Sequence, residues 1–186
     1  MSKDIWLNAN KENAGDLILT GYSGDLKDMP IYPEVMALTK SSDGHRQYAL
    51  DFGCGIGRNT LPLSKDYHRA IGYDLPSMLS LVPEENKYEN IIYESDWNKI
   101  KNIEFDLVLA SLVFQHIEDS ELDSYLQDLN KMTDKLVLHS RTWIDHSNTE
   151  VLSIVEKYFI ITSIDYTRDP NNPIDDHFIA TLEPRR

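Results

Sequence analysis

The chain has 186 residues, 41% of them apolar and 26% charged, and its 31 acidic residues against 18 basic ones leave a formal net charge of −13. That length suits one domain with a substantial core, and that charge disfavours nucleic acid as a partner, because phosphate backbones are bound by basic surfaces. No apolar run approaches the ~18 residues of a spanning helix, Met1-Ser2-Lys3-Asp4-Ile5-Trp6 is neither a basic nor an apolar leader, and the single cysteine, Cys54, permits no internal disulfide, so a cytoplasmic protein without membrane contacts is expected.

Residues 1–45 mix Asn, Gly and Asp with scattered aromatics, among them Trp6, Tyr22 and Tyr32, and lack steady periodicity. They read as a cap on a core of residues 46–186. One helix is predicted there, about Tyr32 to Lys40, with Pro33 in the first turn, where its missing N–H costs little. From Gln47 the rhythm changes. Tyr48–Phe52, Ala70–Asp74, Asn90–Glu94, Phe105–Ala110 and Lys135–His139 read as five short buried strands, with a helix from about Arg58 to Lys65 after the first. After the fourth strand, Leu122, Tyr125, Leu126, Leu129 and Met132 share one helical face, with Asp119 and Ser120 offering N-cap chemistry. A further helix is predicted from Thr149 to about Lys157. Phe159–Tyr166 and His177–Leu182 then follow with no helix between them, joined by the turn-rich Arg168–Pro173. The pattern predicts an α/β, doubly wound, seven-stranded and mainly parallel sheet that ends in an antiparallel hairpin.

Between the first strand and its helix lies Asp51-Phe52-Gly53-Cys54-Gly55-Ile56-Gly57. Glycines there permit positive φ and close approach of a ligand, and the following helix start offers free N–H groups to an anion. A dinucleotide loop wants Gly-x-Gly-x-x-Gly. Here the third glycine comes one position early, with Arg58 in its place, and no Gly-Lys-Ser/Thr of a phosphate loop follows. Asp74 ends the second strand, where a carboxylate can accept both hydrogen bonds of a ribose diol.

The run Ala49-Leu50-Asp51-Phe52-Gly53-Cys54-Gly55-Ile56-Gly57-Arg58-Asn59 resembles the first motif of class I, Rossmann-like S-adenosylmethionine-dependent methyltransferases. Arg58-Asn59-Thr60 is similar to the subgroup with tellurite-resistance and thiopurine-type enzymes, and the resemblance spans roughly Tyr48 to Leu138. It implies S-adenosylmethionine as cofactor and S-adenosylhomocysteine as product. It places Gly53 and Gly55 along the methionine moiety, Asp51 in support of the loop and the ammonium, Asp74 on the ribose and Leu75 against the adenine. Asp96 would meet the adenine amino group, Trp97 would donate a backbone N–H or serve as packing, and Ala110 and Ser111 would complete the methionine pocket. Cys54, as a small packing residue, with Gly57 and Asn59 completes the cofactor set.

Methyl transfer from a sulfonium needs alignment and exclusion of water more than a fixed triad. His116 is the candidate base or substrate contact. Trp6, Tyr22, Arg141, Trp143 and His146 are candidate acceptor-pocket residues, while Arg168 and His177 read as surface. No metal-binding spacing occurs, and no required metal is expected. A small-molecule acceptor is favoured by the short chain, by the acidic charge and by Ala110-Ser111-Leu112-Val113 standing where a DNA amino-methyltransferase carries Asn/Asp-Pro-Pro-Tyr/Phe. A non-catalytic binding or partner subunit, an aminopropyl-type transferase and a protein methyltransferase are the alternatives. The chain is expected as a monomer or homodimer.

Overall fold

The computed structural model describes residues 3–19, 22–40, 46–142, 147–169 and 172–186. Five apolar runs form the parallel part of one sheet: β1 (Tyr48–Phe52), β2 (Arg69–Tyr73), β3 (Ile91–Glu94), β4 (Leu107–Ser111) and β5 (Leu136–Arg141). β4 is buried along its whole length, and β1 and β5 are buried at all but one end residue. Burial of that kind follows when helices cover both faces of a parallel sheet. β6 (Phe159–Asp169) and β7 (Asn172–Pro184) form an antiparallel hairpin, and β7 inserts between β5 and β6 to give the order β3-β2-β1-β4-β5-β7-β6. The chain order reverses between β1 and β4, and the carboxyl ends of strands at such a switch point are where open α/β sheets bind ligands.

Strand periodicity sends alternate residues to opposite faces. Leu107 and Leu109 pack with Val35, Leu63 and Tyr67 under α3 (Pro33–Leu38) and α4 (Thr60–Asp66). Val108 and Ala110 pack with Leu122, Leu126, Leu129 and Val151 under α6 (Asp119–Met132) and α7 (Asn148–Val155). The N-terminal segment adds α1 (Lys3–Leu7) and α2 (Ala14–Ile18), whose Trp6 and Ile18 pack on Ile56 and Met78. Met78 lies in the short α5 (Pro76–Leu79), and Ser77 Oγ donates to the Trp6 carbonyl at 2.8 Å, which ties α1 to α5.

Two local expectations are corrected and one feature is added. Asp119 is the first residue of α6 and Glu118 is its cap, with no side-chain capping bond. Asp119 therefore acts through its charge near the positive helix end. The unforeseen capping box is at α7, where Ser147 and Glu150 satisfy each other's backbone amides. The hairpin strands also run longer than their apolar cores, because Thr167, Arg168 and Asp169 still pair with His177, Asp176 and Asn172.

Gly57 has φ +79, and an added Cβ would collide with the Tyr93 hydroxyl, itself held by donating to the Asn86 carbonyl at 2.9 Å. Gly57→Ala is expected to lose about 2–4 kcal/mol of stability from left-handed strain and overpacking. A thermal midpoint within one or two degrees of wild type would contradict that account of the turn.

Candidate active site

The glycine loop is fastened chiefly by its own neighbours. Gly53 and Cys54 both donate their amides to the Tyr73 carbonyl at the end of β2, at 2.8 and 3.0 Å. The Gly55 amide donates to Asp74 Oδ2 at 2.6 Å, the Leu75 amide to Asp74 Oδ1 at 2.7 Å, and the Gly57 amide to the Cys54 carbonyl at 2.9 Å. The amides of Gly53, Cys54, Gly55 and Gly57 are thus spent inside the protein, and α4 begins only at Thr60. Beneath the loop, buried Asp51 accepts from Thr60 Oγ1 at 2.6 Å. Gly53 has φ +72, and a Cβ there would strike Val113. Gly55 has φ +57, and its Cβ position meets nothing nearer than Ile18 and Met78 at 3.7 Å, so its outer side is open.

That open side faces a cavity of about 520 Å³ between the strand ends and the N-terminal helices. Of the residues expected at the site, Trp6, Gly53, Cys54, Gly55, Asn59, Asp74, Leu75, Ser111, His116 and Arg141 line it. His116 lies in a turn after β4, its ring 5.2 Å from that of Trp6. Leu112, with φ +57, makes the sharp exit from β4, and its amide donates to the His139 carbonyl at 2.7 Å.

The other expected residues lie elsewhere. Ala110 is core, and Gly57 packs beneath the loop against Tyr93. Asp96 is exposed and accepts from the Asn98 amide. Trp97 packs edge-on against Phe52 and Tyr125, and its Nε1 donates to Asp128 at 2.9 Å, so its side chain is structural. Tyr22 bonds to the Asp25 carbonyl, away from the cavity wall. Trp143 and His146 lie outside the described residues. Among the described residues, no group of three or more His, Cys, Asp or Glu could hold a metal ion.

Several wall residues carried no sequence signal for this role. Arg58 lines the cavity, donates from Nη1 to the Pro30 carbonyl at 2.8 Å and stands over the Tyr32 ring at 5.5 Å. Its position after the glycines could have marked it. Tyr73 and Tyr125 join by their hydroxyls at 2.9 Å, and Tyr125 donates onward to Glu121. In sequence Tyr125 falls on the apolar face of a helix and reads as core. His177, expected at the surface, instead meets the buried His139 at 3.0 Å across β5 and β7.

Burial dominates the electrostatics. It pushes the Asp51 carboxyl up to about 7, against hydrogen bonding from Thr60 and the Arg58 charge. It pushes Asp74 up to about 6, against the amides of Gly55 and Leu75. The Cys54 thiol is driven well above its ordinary value by burial and by the two carboxylates, which makes it a packing residue and not a nucleophile. Burial lowers Arg58 from its ordinary value.

Residues 49–135, from β1 to the residue before β5, match the family model of a methyltransferase domain. Over that stretch, a little under half of its length, the chain is similar to a methyltransferase domain. Its fold recurs in an N-methyltransferase, NodS, from Bradyrhizobium japonicum WM9 in complex with S-adenosylhomocysteine (TM-score 0.70, 18% identity, 94% of this chain and 100% of that one). It recurs in a TehB-like S-adenosylmethionine-dependent methyltransferase from Corynebacterium glutamicum (TM-score 0.67, 18% identity, 85% and 90%). A third is the magnesium protoporphyrin IX methyltransferase of Synechocystis PCC 6803 with bound S-adenosylhomocysteine (TM-score 0.64, 16% identity, 83% and 80%). No curated protein sequence matches the chain. Among the described residues no helix is long and apolar enough to cross a membrane.

A carboxyl whose folded value lies above its unfolded one binds a proton on folding, so it favours the folded state below the unfolded value and loses that contribution as pH rises through the folded one. For Asp51 that window runs from about 4, the ordinary carboxyl range, to about 7. The unfolding free energy of wild type relative to Asp51→Asn is therefore expected to rise as pH falls from 8 to 5 in urea titrations. A difference independent of pH would show that Asp51 ionises as an ordinary surface carboxyl.

Proposed function

We propose that this chain transfers the methyl group of S-adenosylmethionine to a small-molecule acceptor, as a cytoplasmic enzyme. The observation that carries this reading is the polarity of the glycine loop. Its amides are consumed by the Tyr73 carbonyl and by Asp74, while Asp74 lines the cavity and Asp51 lies beneath it. A loop so arranged disfavours a pyrophosphate and favours a cation. The cavity volume falls within the ~300–1,000 Å³ usual for small-molecule and cofactor sites.

When bound, S-adenosylmethionine supplies a methyl carbon on a sulfonium leaving group. The chain's own residues bind and align. Each Asp74 oxygen accepts one amide and keeps lone-pair capacity for a ribose hydroxyl. Leu75 and Met78 give the base an apolar wall, and the open backbone at Gly55 admits the methionine chain. Arg58, the cation nearest the loop, takes the cofactor carboxylate. Trp6 and Arg141 bound the acceptor space, with the residue 3–19 segment as its cover. The buried Trp6 Nε1 has no hydrogen-bond partner among the described residues and is available to an acceptor oxygen or nitrogen. His116, beside Trp6, serves as base when the acceptor arrives protonated.

Thermal unfolding with S-adenosylmethionine, S-adenosylhomocysteine and NAD tests the reading. Ligand at ~100 times its dissociation constant adds about 2.7 kcal/mol, and at about 2–4 °C per kcal/mol for this length a rise of roughly 5–10 °C is expected with the two methionine compounds alone. A rise with NAD only would sink it. Asp74→Ala removes two charge-assisted bonds to the ribose and is expected to weaken S-adenosylhomocysteine roughly 100-fold, whereas unchanged calorimetric affinity would remove Asp74 from the cofactor site.

A further inference from the structure

Behind the cavity wall a line of hydrogen bonds leads away from the site. Ser111, at the end of β4, lines the cavity, and its Oγ lies 3.1 Å from His139 Nδ1 on β5. His139 Nε2 lies 3.0 Å from His177 Nδ1 on β7. His177 lines a separate polar depression with Thr142, Asn148 and Asp176. His139 is 2% exposed, with Tyr32 packed edge-on to it at 4.7 Å. Burial, then His177, Arg58 and Arg141, hold its imidazole far below the ordinary range, at about 3.

A neutral imidazole has one N–H and one lone pair. If His139 Nδ1 accepts from the Ser111 hydroxyl, its Nε2 must donate to His177. If Nε2 accepts, Nδ1 must donate to Ser111. The direction of one bond therefore sets the direction of the other. We propose that the positive charge of the bound methyl donor orients this chain outward, with Ser111 turning its lone pairs to the cavity, its hydroxyl donating to His139 Nδ1, and His139 Nε2 donating to His177 Nδ1. Ser111 then contacts the donor, while His139 and His177 are positioning residues that act through it. The product of transfer is a neutral thioether and lacks the charge that rewards this orientation. The chain thus favours the charged donor over its product, which helps the product leave. This inference rests on S-adenosylmethionine occupying the cavity.

The test is the ratio of dissociation constants, S-adenosylhomocysteine over S-adenosylmethionine, measured by calorimetry in wild type, Ser111→Ala and His177→Ala, with nitrogen-15 NMR of the histidines in both complexes. His177 is only partly buried, so His177→Ala keeps the test open should a change at the buried serine unfold the protein. The ratio is expected to fall roughly three- to tenfold in both variants, and His139 in the S-adenosylmethionine complex is expected to carry its proton on Nε2. A structural role alone would change both affinities together. An unchanged ratio, or a proton on Nδ1 in that complex, overturns the inference and leaves the proposed function standing. Failure of wild type to bind either compound overturns both.

Discussion

Two amides meeting one carbonyl organise this site. Gly53 and Cys54 both donate to Tyr73, which locks the exit of β1 onto the exit of β2, and the next amide, Gly55, is taken by the Asp74 carboxylate that follows. The positive φ values at Gly53, Gly55 and Gly57 are what this fastening demands of the backbone. The amides of Gly53, Cys54 and Gly55 are thereby taken up inside the protein and are not offered to a phosphate. The loop's remaining chemistry is the pair of acids, Asp74 at the cavity wall and Asp51 below. The same constraint that shapes the turn also sets a carboxyl group in the cavity wall beside the loop.

The sheet order supplies the rest of the wall. Because β1 lies between β2 and β4, with β5 next beyond β4, the exits of all four strands converge on one cavity. β7 enters antiparallel beside β5, and that reversal brings His177 to within a hydrogen bond of His139. The abrupt turn at Leu112, a non-glycine residue in the left-handed region, leads the chain from Ser111 on β4 toward His116 at the mouth. Left-handed strain of this kind, about 1–3 kcal/mol, concentrates at functional sites.

Much of this was legible in the sequence, for local reasons. The five parallel strands and the hairpin show as apolar runs, and Gly53, Gly55 and Asp74 as spacing, because each signal lies within one strand and its following turn. What was not legible depends on long-range placement. Arg58 reaches the Pro30 carbonyl and the Tyr32 ring from a segment without periodicity. His139 and His177 are 38 residues apart and meet only because β7 lies next to β5. Tyr125 sits at a helical position that reads as core, yet the cavity cuts into that face. Asp96 and Trp97 follow β3 as the motif order suggests, but the Trp97 indole turns inward to Asp128 and leaves the wall to Tyr73.

Burial of Asp51 and Asp74 has a consequence for any titration of this protein with its cofactor. With values of about 7 and about 6, Asp51 is roughly half protonated at neutral pH and Asp74 mostly ionised, and a cation entering the cavity favours release of the proton that remains. Ligand uptake and proton release are then one event. The heat observed contains the ionisation enthalpy of whatever buffer takes up the protons, and it differs between phosphate and Tris even when the affinity does not.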